Sequence, residues 1–106
     1  MHKMSKEVRA LMLDKILASV RKERTNQDEK WNGDNNIVFR SRADGLAVLT
    51  EEVGEAACSH LEGDEESFFN EMIQVAAVAV AICEAVGLKM WDEIMERSAG
   101  TEGKDG

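Results

Sequence analysis

The side chains able to do chemistry in this chain gather in one stretch, residues 49–82, which reads LTEEVGEAACSHLEGDEESFFNEMIQVAAVAVAI. Within it stand two pairs of polar side chains at a spacing of three: Glu52 with Glu55, and Glu71 with Gln74. On a helix that turns about 100° per residue, such a spacing leaves partners about 60° apart, so each pair addresses one sector of space. Three carboxylates and one amide are oxygen donors, and oxygen donors select hard cations, Mg²⁺ or Mn²⁺. Zinc calls for Cys or His, and a di-iron bundle site calls for Glu-x-x-His, which neither His2 nor His60 supplies. The chain carries no Gly-rich phosphate loop, no Ser/His/Asp arrangement and no nucleophile motif. Glu-x-x-Glu alone is most often a solvated helix face, so its meaning depends on what positions it.

The positioning elements are helices. Apolar periodicity predicts a helix from about Ala43 or Asp44 to Leu61, with Leu46, Leu49, Val53, Ala56, Ala57 and Leu61 as its core stripe. Gly54 lies between the two glutamates, where close approach of a helix or ligand would explain it. Glu62-Gly63-Asp64 reads as a turn, Gly63 closing one helix and Asp64, with Ser67 three residues on, capping the next. That third helix is predicted from about Glu65 to Val86, stopping at Gly87. Residues 72–83 are apolar on every side, more than three helices of one short chain can cover, which predicts packing against a second copy. Upstream, Ser5 caps a helix whose stripe is Val8, Met12, Leu13, Ile16, Leu17 and Val20 and which ends past Arg24. Downstream, Met90, Trp91, Ile94 and Met95 define a short fourth helix over 88–97. The fold class is therefore all-α: an antiparallel helical hairpin building a four-helix-bundle-like core, completed by homo-oligomerisation, as one domain over 1–97 with a disordered tail at 98–106.

Composition narrows the partners. With 21 acidic against 13 basic residues, the net charge of -8 disfavours nucleic acid and anionic membrane surfaces. The longest uncharged apolar run, 72–83, is shorter than the roughly 18 residues of a membrane span, and no basic segment precedes an apolar one at the N-terminus. These features point to a soluble, cytoplasmic protein. Cys58 and Cys83 lack ligand spacing and are expected as small core residues in a reducing compartment.

Between the first two helices lies TNQDEKWNGDNNIVFRSRADG, long for a bundle connection. Trp31 has two readings there. It is either an apolar plug over the bundle end or a flat surface for a base, whose edge Gln27, Asp28 and Lys30 could meet with donors and acceptors. Arg40 and Arg42 carry planar guanidinium groups suited to phosphate oxygens.

The combination of ERTNQDEKW, LTEEVGEAA and EMIQVAAVAVAICEAV resembles the MazG-like superfamily of all-α nucleoside triphosphate pyrophosphatases, in particular its short, stand-alone members from phages and mobile elements. The family pattern is Glu-x-x-Glu on one helix and Glu-x-x-Asp on the next; Gln74 stands where that pattern has Asp. The resemblance implies Mg²⁺-dependent hydrolysis of a nucleoside or deoxynucleoside triphosphate (dNTP) between the α and β phosphates, yielding the monophosphate and pyrophosphate. Glu52, Glu55, Glu71 and Gln74 would hold two or three Mg²⁺ ions, with Mn²⁺ possible, and Glu52 or Glu55 could instead take a proton from water. Gln27 and Trp31 would lie near the base, and Lys30, Arg40 or Arg42 near the phosphates. The family's assemblies are dimers and tetramers, and the tetramer is favoured here. Gln74 also motivates an alternative, a catalytically weak or inactive relative that binds nucleotide or a protein partner. A purely structural helical oligomer is the third possibility.

Overall fold

The computed structural model describes residues 3–31 and 41–104, and the side chains of 3–30 and 41–99. Three helices make the chain: α1 over Lys6–Trp31, α2 over Arg42–Glu62 and α3 over Glu65–Lys104. No strand occurs among the described residues.

The helix ends are fixed by short polar side chains that satisfy backbone donors otherwise left without partners. Val8 N–H donates to Ser5 Oγ at 3.2 Å at the start of α1, and Ser67 N–H donates to Asp64 Oδ1 at 3.0 Å at the start of α3. Helix α2 starts slightly earlier than its apolar pattern predicts. Ser41 is its cap, and the Ser41 hydroxyl accepts from Asp44 N–H at 3.2 Å. At the other end of α2 Gly63 adopts φ +74°, a left-handed conformation that costs a glycine little. Its N–H donates to the His60 carbonyl and the Asp64 N–H to the Ser59 carbonyl, each at 3.1 Å. This closure turns the chain so sharply that α3 packs back along α2. The Ser59 and Ser67 hydroxyls, 2.9 Å apart, join the two helices just beyond the turn.

No stop occurs at Gly87, and the predicted fourth helix is the continuation of α3. The physical reason lies in its neighbours. A glycine inside a helix costs only about 1 kcal/mol against alanine, and around Gly87 stand Ala85, Val86, Leu88 and Met90, with no proline anywhere in the chain to enforce a break. The helix runs on to Lys104, through most of the segment expected as a disordered tail.

Helix α3 is the centre of the molecule. It packs against both α1 and α2, which do not touch each other among the described residues. Part of α3 is apolar and long enough to cross a membrane by composition alone. In this fold the same helix supplies most of the core: the buried apolar residues are Ala77, Val78 and Ala81 on α3, Val20 on α1 and Ala56 on α2. Small side chains there bring the helices close, but they bury little area.

Much of the predicted apolar stripe lies open. Val8, Met12, Leu13 and Leu17 of α1 are about half exposed, as are Leu46 and Val53 of α2, and Leu61 is 83% exposed. On α3, Met72, Val80, Leu88, Trp91, Ile94 and Met95 are exposed too. Cys58 and Cys83, expected in the core, are likewise exposed, because they lie off the narrow faces that one chain brings together. The radius of gyration is 18.5 Å, against about 13 Å for a globular domain of this length. A single chain is therefore open and elongated.

Candidate functional site

The hairpin brings three of the four expected ligands together. Oxygens of Glu52 and Glu55 on α2 and of Glu71 on α3 all lie within 4.8 Å of one another. Glu52 and Glu71 are half-buried and Glu55 is exposed, so the trio sits at the mouth of the α2–α3 seam. Glu71 Oε2 is buried and has no hydrogen-bond partner among the described residues. Leaving a buried charged oxygen unsatisfied is costly.

The crowding shows in the titration of these groups. Burial, followed by repulsion from Glu55 and Glu71, pushes the Glu52 carboxyl up from 4.5 to about 7. Burial, followed by Glu55, also raises Glu71. A cluster of carboxylates in a partly dry site holds protons unless a cation replaces them. Hard-cation chemistry fits this donor set: three carboxylate groups converge, and one buried oxygen faces no protein donor.

Gln74 stands one turn after Glu71 on α3. It is half-buried and lines a groove of about 440 Å³ between α1 and α3, with Ser19, Lys22, Asn26, Phe69 and Ile73 among its neighbours. On the helical wheel it stands between the face of α3 that meets α2 and the face that meets α1. Its amide makes no hydrogen bond among the described residues.

On α1, sequence reasoning singled out Gln27 and Asp28 but missed the residue that organises them. Arg24 is only 6% exposed. Its Nε donates to Glu84 Oε1 at 2.9 Å and its Nη2 to Glu84 Oε2 at 3.2 Å, which fastens α1 to α3. The same Nη2 reaches Asp28 Oδ1 at 2.8 Å, and Nη1 reaches Gln27 Oε1 at 3.4 Å. These contacts, the hydrogen bond to Glu84 foremost, hold the guanidinium pKa above its ordinary value. Gln27 is 3% exposed, with its Nε2 buried and unpartnered among the described residues. The signal for Arg24 in the sequence was its spacing: it lies four residues after Val20 and three and four before Gln27 and Asp28, on the face that α1 turns to α3.

Lys30 is exposed in the last turn of α1, and Arg42 is exposed at the first position of α2. Arg40 and the Trp31 side chain lie outside the described residues. A Cβ added at Gly54 would meet nothing within 4 Å among the described residues, which do not make the close approach expected there. His60 packs its ring against Phe68, centroids 6.0 Å apart, away from the carboxylates in role as in type. No protein-family model, no curated protein and no solved structure matches this chain.

Proposed function

We propose that the protein is a Mg²⁺-dependent nucleotide pyrophosphatase, cleaving a nucleoside or deoxynucleoside triphosphate to the monophosphate and pyrophosphate. The observation that carries the proposal is the convergence of Glu52, Glu55 and Glu71 within 4.8 Å, with the buried Glu71 oxygen lacking a protein partner among the described residues. The resemblance to the MazG-like pyrophosphatases supplies the substrate class; the acidic trio supplies the means.

Glu52, Glu55 and Glu71 would hold the cations, Mg²⁺ or Mn²⁺. When bound, such ions supply positive charge that offsets the triphosphate and makes nearby water more acidic. The remaining work falls to the chain. Its net charge of -8 repels a free triphosphate, so substrate enters as the cation complex. Glu52 or Glu55, at the trio, could accept a proton from attacking water in place of a ligand role. Lys30 and Arg42 stand at the ends of the segment joining α1 and α2, where their charges can meet phosphate oxygens.

A second copy of the chain completes the fold in this proposal, and a tetramer is favoured over a dimer. The exposed apolar residues on α1 and on the distal part of α3 support that, since a soluble monomer rarely leaves so many large side chains in water. The proposed setting is the cytoplasm, without nucleic acid or membrane as partner.

Incubation with each common dNTP and NTP plus Mg²⁺ tests the proposal. Turnover that Glu52→Gln and Glu55→Gln abolish is expected; turnover indifferent to both would end it. The alternative, nucleotide binding without hydrolysis, is motivated by one feature: Gln74, a neutral amide, stands where the family pattern has Asp, which leaves three carboxylates. Calorimetry that finds tight nucleotide binding, with hydrolysis emerging only in Gln74→Asp, would select it.

A further inference from the structure

We infer that the α1–α3 groove seats the heterocyclic base of the nucleotide and that Gln74 reads that base instead of ligating the cation; this rests on the nucleotide reading above. The groove is open to solvent and its lining is mixed, polar and apolar. Its volume of about 440 Å³ lies within the roughly 300–1,000 Å³ of such sites. Phe69 and Ile73 give it an apolar wall, and the Phe69 ring, 50% exposed, is free to cover one face of a flat ring. Around that wall stand three carboxamides, Asn26, Asn70 and Gln74, each with a donor and an acceptor end, and none makes a hydrogen bond among the described residues. Unspent amides beside an aromatic ring match the mixed donor and acceptor edge of a base. Lys22 and Glu23 bring one charge of each sign to the lining.

The groove borders the same helix that carries Glu71. Glu71, in the cation-binding trio, is the sequence neighbour of Asn70 and stands one turn before Gln74 on the same helix. A triphosphate complexed at the trio could therefore extend its nucleoside around α3 into the groove. Gln27 is less suited to meet the base directly, because it is buried and its carbonyl oxygen is engaged by Arg24.

The two roles for Gln74 separate in Gln74→Glu, which keeps size and shape but replaces an amide donor by a carboxylate. Mn²⁺ affinity would be measured by electron paramagnetic resonance on the full chain. Binding of the α,β-imido analogues of the four dNTPs, which resist hydrolysis, would be measured by calorimetry with Mn²⁺ present. Expected are Mn²⁺ affinity within a few-fold of wild type and analogue affinity reduced tenfold or more in Gln74→Glu, with a similar loss in Phe69→Ala. A tenfold gain in Mn²⁺ affinity with analogue binding retained would make position 74 a ligand site and overturn the inference. So would wild-type analogue affinity in both variants, which leaves the nucleotide reading intact. Failure of the wild-type protein to bind any analogue while binding Mn²⁺ would remove the nucleotide reading itself, and the base assignment with it.

Discussion

Replacing Glu52 by Gln should stabilise the protein without cation while destroying its cation site. In the folded chain burial, Glu55 and Glu71 lift the Glu52 carboxyl from 4.5 to about 7. A raised carboxyl pKa means that folding favours the protonated form. The stability linked to Glu52 is full below about 4.5 and is lost as the pH climbs through about 7. At 1.36 kcal/mol per tenfold change in proton affinity, the interval corresponds to a ceiling of about 3 kcal/mol. Solvent screening at this half-buried position reduces that to about 1–2 kcal/mol. For a domain of this size each kcal/mol moves the melting temperature by roughly 4–8 °C. Thermal melts followed by circular dichroism, with chelator and at one fixed protein concentration, should therefore show Glu52→Gln melting roughly 5–10 °C above wild type at pH 8. Near pH 5, where wild-type Glu52 is already protonated when folded, the two should nearly coincide. Added Mn²⁺ at pH 8 should reverse the order by stabilising only the wild type. A lower melting temperature for Glu52→Gln at pH 8, or an equal gain at both pH values, would refute the claim that repulsion and burial at Glu52 destabilise the cation-free site.

Other parts of the molecule yield further expectations. Arg24→Met removes the donors that fasten Glu84 and Asp28 around a buried side chain, and should cost about 2 kcal/mol in denaturant titrations. Asp64→Ala deletes the cap of α3 and should cost about 1 kcal/mol, with Asp64→Ser recovering most of it. Light scattering should give a mass of at least two chains, and Trp91→Glu, placing a charge on the exposed distal face of α3, should lower it. A stable wild-type monomer would contradict the proposed assembly.

Much of this fold was legible because its punctuation is local. Ser5, Gly63 and Asp64 act within one turn of themselves, and the structure gives each the role its type suggests. Ser41 escaped notice because the apolar stripe of α2 begins later, at Leu46, whereas the cap is set by the Ser41-to-Asp44 spacing. Gly87 misled because the same residue type ends a helix at Gly63 and is tolerated inside one at 87; the difference lies in the chain that follows. The trio was legible because a tight turn forces antiparallel neighbours, which brings Glu71 opposite Glu52 and Glu55. The groove that Gln74 lines was not, since a residue between two packing faces is assigned only once both neighbouring helices are in position. Burial was the least legible property. Periodicity marks which face seeks a partner, and many of those faces find none among the described residues.

Phosphorus NMR of a reaction mixture containing the wild-type protein, Mg²⁺ and a hydrolysable dNTP tests the central claim most directly. The monophosphate and pyrophosphate signals are expected to grow together, in equal amounts, with neither appearing in Glu52→Gln. Accumulation of diphosphate and orthophosphate, or an unchanged triphosphate spectrum across the full nucleotide panel, would contradict it.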